Sequence, residues 1–379
     1  MGMDLIIHPL KGFNMVKLKK SNLVKATAQQ IKDVAKTKDS KSNAGFEFIS
    51  SGSTMLNLGL SDKVNGGWCT GKVANLIGDS SAGKSFLAWT MFAEICRNPI
   101  FDLYDLFYDD TEYANEFDIP YLFGSKTKKR VDCESYKSDT IQKWYTSILK
   151  LIAKGDPFIY VLDSFDGLNS DEEKARTKKM LTKKEGTEIE GSYKTEKARL
   201  ASEVFRNITE ALSKTSSMLL VISQTRDNIG VTFGSKKTRS GGKALKFYST
   251  YEVWLAVSGA IKKESTKIKR TVGNDIIAKV SKNKITGKQR IVSFPIYYDF
   301  GVDDITSCIN FLKETDTWKK VTGKGWRTGI EKLDGIGTLP EIIRVIENEN
   351  LEDEVKNIVQ DVWLKIENGV KTERKRRYE

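Results

Sequence analysis

The chain has 379 residues, 30% of them charged, which is enough for one large core with smaller satellites. Its longest apolar run near the middle, residues 218–222, is too short to cross a membrane, and the apolar stretch at residues 5–7 is too short for a signal peptide. One histidine and four scattered cysteines exclude most zinc sites and any histidine-based catalytic triad. We therefore expect a cytoplasmic protein without a membrane partner. Its net charge of +12 indicates a polyanionic partner.

Residues 1–45 are predicted to be an appendage. Val24, Ala28, Ile31 and Val34 recur at helical spacing, as on one face of an amphipathic helix. A single helix of this kind at a chain terminus has to dock on its own core or on a neighbouring subunit. The sequence pattern leaves both possibilities open.

From residue 46 onward, short apolar stretches alternate with longer amphipathic ones. Helix-length segments separate the early strands, which predicts βαβ units and a mainly parallel sheet. The later strands follow one another closely and predict an antiparallel extension. The predicted strands are residues 73–77, 103–108, 158–162, 218–222, 251–257, 276–280 and 291–294.

The pattern changes after about residue 301, where no further strands are predicted. Pro340 is typical of the first turn of one helix, and a second helix carries apolar residues at 355, 358, 359, 362 and 366. We expect a small, mostly helical C-terminal domain over residues 303–379. It ends in a basic run at residues 371–377.

One octet, residues 78–85, matches the phosphate-binding pattern G-x-x-x-x-G-K-[ST] between a predicted strand and a predicted helix. The backbone N–H groups of such a loop and the helix dipole favour a phosphate. We expect Lys84 to neutralise the β- and γ-phosphates of ATP and the Ser85 hydroxyl to bind Mg²⁺. The alternative, a glycine turn with an exposed lysine, does not explain the flanking strand and helix. The predicted nucleotide-binding residues are Gly78, Asp79, Ser80, Ser81, Ala82, Gly83, Lys84 and Ser85.

Carboxylates follow two other predicted strands. Asp163 ends the strand 158–162, a position at which phosphate-loop ATPases hold Mg²⁺ directly or through water. Asp110 and Glu112 follow the strand 103–108 and would point the same way if that strand continued. A carboxylate near the γ-phosphate can orient or deprotonate the attacking water. An acidic turn without a catalytic role would have the same pattern.

Residues 226–246 form a long predicted connection that is rich in glycine and cations. Connections of this length are usually functional or disordered. The cations can neutralise DNA phosphates and Phe233 can insert between bases, whereas a solvated loop without a partner is the alternative. The predicted DNA-binding residues of this connection are Arg226, Phe233, Lys236, Lys237, Arg239, Gly241, Gly242 and Lys243.

Several segments together resemble the RecA family of bacterial and phage recombinases over residues 46–302. They include the octet, Asp110-Thr111-Glu112, Leu162-Asp163-Ser164 and Ser223-Gln224-Thr225-Arg226; the most specific are residues 229–234, 241–248 and 279–284. The resemblance implies a RecA-like phosphate-loop ATPase core with a mainly parallel central sheet over residues 46–302. It also implies an N-terminal helical oligomerisation segment over residues 1–45 and a small C-terminal α+β or helical domain.

The resemblance implies roles for individual residues. Glu112 corresponds to the family's catalytic glutamate, and Gln224 to its proposed nucleotide sensor, which precedes the second DNA-binding loop. Tyr298 corresponds to the aromatic side chain that stacks on adenine. Lys282 and Lys284 alternate along a predicted strand and correspond to a pair that reaches the neighbouring subunit's ATP. A solvated strand face is the alternative for these two lysines.

Further DNA contacts are implied outside the long connection. Arg199 and Arg206 lie on a predicted helix and match basic positions of the family. Residues 171–184 correspond to the first DNA loop, are longer and more basic than in typical bacterial relatives, and either extend the DNA track or form a solvated excursion. The chain differs from bacterial members in ending with basic residues instead of an acidic tail.

Together these features predict an ATP- and Mg²⁺-dependent recombinase of a bacterial or phage-infected cell. It would form a homo-oligomeric helical filament on single-stranded DNA and exchange strands with double-stranded DNA. One alternative, a hexameric helicase-type motor, shares the octet and the strand-end aspartate but not the stretches at 241–248 and 282–284. The other, a filament-forming accessory that binds DNA without exchange, is disfavoured by Lys84 and Glu112.

Overall fold

A central sheet with helices on its faces forms the main part of a computed structural model, which describes residues 46–182, 193–227, 237–239, 242–375 and 378. The strands are β1 (Phe48–Ile49), β2 (Trp68–Cys69), β3 (Val73–Gly78), β4 (Asp105–Asp110), β5 (Val131–Asp132), β6 (Phe158–Asp163), β7 (Met218–Asp227), β8 (Lys237–Arg239), β9 (Tyr251–Ser265), β10 (Ile268–Asn283), β11 (Arg290–Tyr297), β12 (Gly301–Val302), β13 (Lys319–Val321) and β14 (Gly325–Arg327). The α-helices are α1 (Thr54–Ser61), α2 (Lys84–Arg97), α3 (Ile119–Phe123), α4 (Ser125–Arg130), α5 (Ile141–Lys154), α6 (Asp171–Thr182), α7 (Tyr193–Lys214), α8 (Gly242–Tyr248), α9 (Asp304–Glu314), α10 (Leu339–Glu349) and α11 (Glu352–Gly369). The N-terminal segment 1–45, with its predicted amphipathic helix, lies outside the described residues.

The large sheet has the strand order β12-β11-β10-β9-β3-β7-β6-β4-β5, and β8 pairs with β7. The strands from β5 across to β9 run parallel to their neighbours, whereas β10, β11 and β12 continue the sheet in antiparallel fashion. Helices connect most of the parallel strands, because a parallel crossover needs a long connection. The parallel core and antiparallel extension predicted from the spacing are therefore confirmed.

Two hydrophobic clusters cover the opposite faces of the parallel strands. Successive side chains of a strand point to opposite faces, so Tyr160 joins one cluster and Val161 the other. The first cluster includes Trp144 of α5 and Phe205 of α7, and the second includes Trp89 of α2. Burial on both faces explains why these strands are continuous apolar runs in the sequence.

The expectation that strands stop near residue 301 is wrong. Strand β12 pairs with β11 at the edge of the sheet, with Val302 opposite Ile296. Strands β13 and β14 form a small antiparallel hairpin between α9 and α10, in which Trp326 is buried. Strands of two or three residues are too short to leave an alternating pattern in the sequence. The two predicted C-terminal helices are confirmed as α10 and α11.

A charged cluster holds α11 against the core. The buried guanidinium of Arg290 lies 2.6 Å from Asp62 and 2.8 Å from Glu367, and it lies over the ring of Trp363. Burial alone would raise the pKa of Glu367, but hydrogen bonds from Arg290 and Lys288 keep it below its usual value. The C-terminal helix is thus fixed to β11 and to the end of α1. Of the helices that the structure describes, none has the length and apolar composition that a membrane span needs.

Candidate nucleotide site

The sheet topology brings several of the predicted site residues to one edge. Gly78 at the end of β3 lies beside Gln224 of β7, and Asp110 at the end of β4 lies beside Asp163 at the end of β6. All four strands are parallel, so their carboxyl ends meet at the same edge of the sheet. Ligands of open α/β sheets bind at this edge.

The octet 78–85 connects β3 to the first turn of α2. A Cβ atom on Gly78 would lie 2.7 Å from the carbonyl oxygen of Leu255, so only glycine allows this approach of β3 to β9. Gly83 precedes α2 in the left-handed conformation, with φ at 81°, and supplies no side-chain cap to the helix. The helix start is therefore not capped by a side chain, which suits the binding of an anion.

Lys84 is almost completely buried at the start of α2. Its side chain is 8% exposed and its Nζ donates to the Asp79 carbonyl oxygen at 2.6 Å. Burial lowers the pKa of Lys84, although the nearby carboxylates of Asp163 and Glu112 partly counteract this. The hydrogen bond of this buried cation goes to a carbonyl oxygen, which carries only a partial charge. An anionic ligand would therefore stabilise the Lys84 ammonium.

Asp163 is a buried carboxylate of the site, at the end of β6. Its Oδ2 accepts hydrogen bonds from Ser85 Oγ and from the Tyr108 hydroxyl, each at 2.5 Å. Burial raises the pKa of Asp163, and the two hydroxyl donors lower it in part. Burial also raises the pKa of Tyr108, so this hydroxyl keeps its proton and donates. The strand pattern gave no reason to separate Tyr108 from an ordinary core aromatic.

A hydroxyl and a carboxylate oxygen are the hard donors that Mg²⁺ prefers, so Ser85 and Asp163 fit this ion. Within the described part of the chain, no group of three histidine, cysteine or acidic side chains is arranged to hold a metal by itself. A Mg²⁺ ion here would therefore take its other ligands from nucleotide phosphates and water, as is usual for this ion.

Glu112 lies beyond the end of β4. The strand covers Asp105–Asp110 instead of 103–108, and Leu103 is exposed outside it. Asp110 and Glu112 therefore do not continue one strand, and the Asp110 carboxylate instead accepts from the backbone N–H groups of Glu112 and Asn115 at 3.1 and 2.9 Å. This turn leaves the Glu112 side chain exposed at the site.

Gln224 links Glu112 to strand β7. Its Nε2 donates to Glu112 Oε1 at 2.8 Å, and its backbone N–H donates to Asp166 at 2.8 Å. Ser164 Oγ also donates to Glu112 Oε1. Ser164 and Asp166 lie within three residues of the end of β6, and no sequence pattern predicts a role for either. A single network thus connects the turn after β4, the turn after β6 and strand β7.

The connection 226–246 has more regular structure than predicted. Strand β7 continues to Asp227 and pairs with β8, with Thr225 opposite Arg239, and α8 begins at Gly242. A strand of three residues and a helix of seven are too short to leave a clear periodic pattern in the sequence. Arg226 lies in β7, Lys237 and Arg239 lie in β8, and Lys243 lies in α8, whereas Phe233, Lys236 and Gly241 lie outside the described residues.

The other predicted DNA-binding cations lie on helices. Arg199 and Arg206 are exposed on α7 and are seven residues apart, which places them on the same side of the helix. Residues 171–182 of the predicted first DNA loop form α6, where Lys174 pairs with Asp139 of the loop before α5. Residues 183 and 184 lie outside the described residues.

A cavity of about 360 Å³ adjoins the octet on the side of β10 and β11. Gly83, Lys84 and Ser85 line one part of it, and Tyr298, which is 54% exposed, lines another. Phe117 contributes a second aromatic ring to the lining. The cavity can hold the planar base of a nucleotide whose phosphates lie on the octet.

Lys282 and Lys284 lie at the opposite edge of the sheet. Lys282 is opposite Glu252, near the amino end of β9, whereas the octet follows the carboxyl end of the parallel strand β3. Strand β10 ends at Asn283, so Lys284 lies in the following turn and the two lysines do not alternate along one strand. Both ammonium groups nevertheless donate to the Phe247 carbonyl oxygen, at 3.0 and 3.2 Å. The pair therefore binds the C-terminal end of α8, the helix end that favours cations.

The comparisons with known proteins agree on one family. The chain matches the model of the RecA N-terminal domain over residues 177–303. It is 31% identical over 323 residues to Protein RecA of Chlorobaculum tepidum. The aligned region covers 83% of this chain and 84% of that protein. The chain belongs to the RecA family. Protein RecA of Chlorobium limicola is 30% identical over 332 residues, or 85% of this chain and 86% of the relative.

Membership of the RecA family supports several general statements. It supports nucleotide binding, generally with Mg²⁺, and ATPase activity. It also supports a role in DNA recombination and repair, with DNA binding and oligomerisation. The RecA-like fold predicted from the sequence is confirmed by the mainly parallel sheet and by these matches.

Proposed function

We propose that this RecA-family protein is an ATP-dependent DNA recombinase that forms a helical filament on single-stranded DNA. In this proposal the filament pairs with homologous double-stranded DNA and exchanges strands in the cytoplasm of a bacterial or phage-infected cell. The observation that carries the proposal is the hydrogen bond between Gln224 and Glu112. It links a carboxylate at the candidate ATP site to the strand that leads into the cationic segment 226–246.

In the proposed site, the octet holds the phosphates of ATP. The backbone N–H groups at the start of α2 and the Lys84 ammonium would bind the β- and γ-phosphates. Ser85 and Asp163 would hold Mg²⁺, directly or through water, and the ion would neutralise charge on the phosphates when bound. Tyr298 would stack on the adenine base in the adjoining cavity.

Glu112 would orient or deprotonate the water that attacks the γ-phosphate. In the structure this carboxylate accepts hydrogen bonds from Gln224 and Ser164, which fix its position. We propose that the Gln224 amide turns to the γ-phosphate when ATP binds. This movement would release Glu112 for the water and shift the end of β7, so nucleotide binding and DNA binding would be coupled.

The lysine pair would act on a second copy of the chain. Because Lys282 and Lys284 lie at the edge of the sheet opposite the octet, they cannot reach the ATP of their own chain without a large rearrangement. In a head-to-tail filament, the same edge can face the octet of the next copy. Hydrolysis would then require assembly. Arg199, Arg206 and the segment 226–246 would bind the DNA backbone.

A strand-exchange assay tests the proposed function. Wild-type protein with ATP, Mg²⁺, circular single-stranded DNA and homologous linear duplex should yield joint molecules, and electron microscopy should find helical filaments. Lys84→Ala should lose most nucleotide affinity, on the order of a hundredfold, because the phosphates lose a buried charge-assisted donor. Lys150→Ala, an exposed lysine of α5, is the matched control and should exchange strands normally. Rings instead of filaments, or exchange by Lys84→Ala at the wild-type rate, would contradict the proposal.

A further inference from the structure

Tyr108 of β4 contacts the candidate Mg²⁺ site from the protein interior. Its side chain is 1% exposed, and its hydroxyl donates to the same Oδ2 of Asp163 that accepts from Ser85. The two donors come from different directions, Ser85 from the first turn of α2 and Tyr108 from the neighbouring strand of the sheet. Two hydroxyl groups at one carboxylate oxygen restrict the rotation of that carboxylate.

The ring of Tyr108 is fixed by its own neighbours. It stacks on Trp89, with ring centroids 4.7 Å apart and an interplanar angle of 30°, and it meets the ring of Phe92 edge-on. Trp89 is four residues after Ser85 on α2, so both side chains lie on one face of the helix. The position of the tyrosine hydroxyl is therefore tied to the helix that carries Ser85.

We propose that Tyr108 is a positioning residue for the Mg²⁺–nucleotide complex. Its hydroxyl holds the Asp163 carboxylate in place, also when Ser85 turns to the metal. The proposal rests on the proposed function, because it assumes that Ser85 and Asp163 bind Mg²⁺. It adds a residue that neither touches the nucleotide nor belongs to the octet.

A buried tyrosine hydroxyl usually has a hydrogen-bond partner, so the contact alone does not require a role at the site. The chain contains a second buried tyrosine–aspartate contact, which allows a role at the site to be distinguished from ordinary burial. Tyr160 of β6 is also fully buried, and its hydroxyl donates to Asp109 Oδ2 at 2.5 Å, the same length as the bond from Tyr108 to Asp163. Asp109 also accepts from the Ser138 N–H at 2.9 Å and belongs to the opposite face of the sheet.

The experiment compares Tyr108→Phe with Tyr160→Phe in the full-length chain. Each variant removes one buried hydroxyl oxygen and keeps the ring. The binding of a fluorescent ATP analogue is measured during Mg²⁺ titration and separately in EDTA, and Mn²⁺ binding to the nucleotide complex is followed by electron paramagnetic resonance. We expect Tyr108→Phe to raise the half-saturating Mg²⁺ concentration about five- to tenfold, the effect of one lost hydrogen bond, with unchanged affinity in EDTA. Tyr160→Phe should resemble the wild type in both measurements.

Thermal unfolding without nucleotide should show similar losses for the two variants, since each leaves one buried carboxylate with one donor fewer. An equal Mg²⁺ requirement in the two variants, or a lower one for Tyr108→Phe, would overturn the positioning role. If the wild type itself binds no nucleotide with or without Mg²⁺, the proposed function fails and the positioning role fails with it. If the wild type binds with a clear Mg²⁺ dependence that Tyr108→Phe shares, only the positioning role fails.

Discussion

The lysines that the sequence assigns to ATP lie in two contrasting environments. Lys84 is buried at the carboxyl edge of the sheet, near the carboxylates of Asp163 and Glu112. Lys282 and Lys284 lie near the amino end of β9, at the opposite edge, and bind the carbonyl groups at the end of α8. Lys84 belongs to a group of residues that its own chain brings together. The other two have their present partners on α8, a helix that begins within the predicted DNA-binding connection 226–246.

The difference indicates how assembly could control the site. The carbonyl groups of α8 carry only partial charges, so a triphosphate from another copy would be a stronger partner for the lysine pair. If the two ammonium groups bound that triphosphate instead, the end of α8 would lose a favourable contact. Filament formation, ATP binding and the DNA-binding segment would then depend on one another.

The largest effect is expected at the carboxyl edge. Glu112→Gln keeps a side-chain oxygen that can accept from Gln224 but removes the proposed general base, so ATP hydrolysis should fall by about a hundredfold or more. Binding of Mg²⁺–ATP and filament formation should persist. The measurement is steady-state phosphate release with single-stranded DNA, beside equilibrium nucleotide binding. Hydrolysis at the wild-type rate would remove Glu112 from the catalytic role.

A smaller but more selective effect is expected for the lysine pair. Lys282→Ala combined with Lys284→Ala should lower DNA-stimulated hydrolysis at least about tenfold, the loss of charged hydrogen bonds to phosphate. The affinity of the dispersed protein for ATP should not change, because the pair lies far from its own octet. Lys365→Ala, an exposed lysine of α11, is the control. Loss of ATP affinity in the dispersed double variant would break the contrast between the two edges.

The smallest effect concerns pH. Burial lowers the pKa of Lys84, so its ammonium loses the proton at a lower pH than an exposed lysine. As the pH rises through that lowered pKa, ATP affinity should fall. The nucleotide-free fold should instead gain stability relative to a Lys84→Met reference, compared with their difference at lower pH, because a buried charge disappears. Titrations of ATP binding and thermal unfolding across alkaline pH test both signs. The double variant of the lysine pair should follow the wild type.

The sequence predicted the parallel core and the octet because each leaves a continuous pattern. Long apolar strands such as 158–162 are buried on both faces, and the octet has fixed glycine spacing. The network around Glu112 could not be predicted in the same way, since Asp166 and Ser164 meet Gln224 and Glu112 only through the turns after β4 and β6.

Tyr108 illustrates a second reason. In an apolar strand, an aromatic residue is typical of the core, and only the register of β4 against β6 brings its hydroxyl to Asp163. The hairpin β13–β14 leaves no alternating pattern in the sequence, because its strands have three residues each. Lys282 and Lys284 do not alternate along one strand as predicted, because Lys284 lies in a turn, yet both ammonium groups meet the same helix end.

In the proposed filament, two copies of the chain form each complete ATP site, and a mixture of two impaired variants tests this sharing of the site. Glu112→Gln retains the lysine pair, and the Lys282→Ala, Lys284→Ala variant retains Glu112. In an equal mixture on single-stranded DNA, about a quarter of the head-to-tail contacts should join an intact octet half to an intact lysine half. We expect ATP hydrolysis to recover to about a quarter of the wild-type rate on the same arithmetic. A mixture that hydrolyses ATP no faster than its two components would contradict an ATP site shared between two copies.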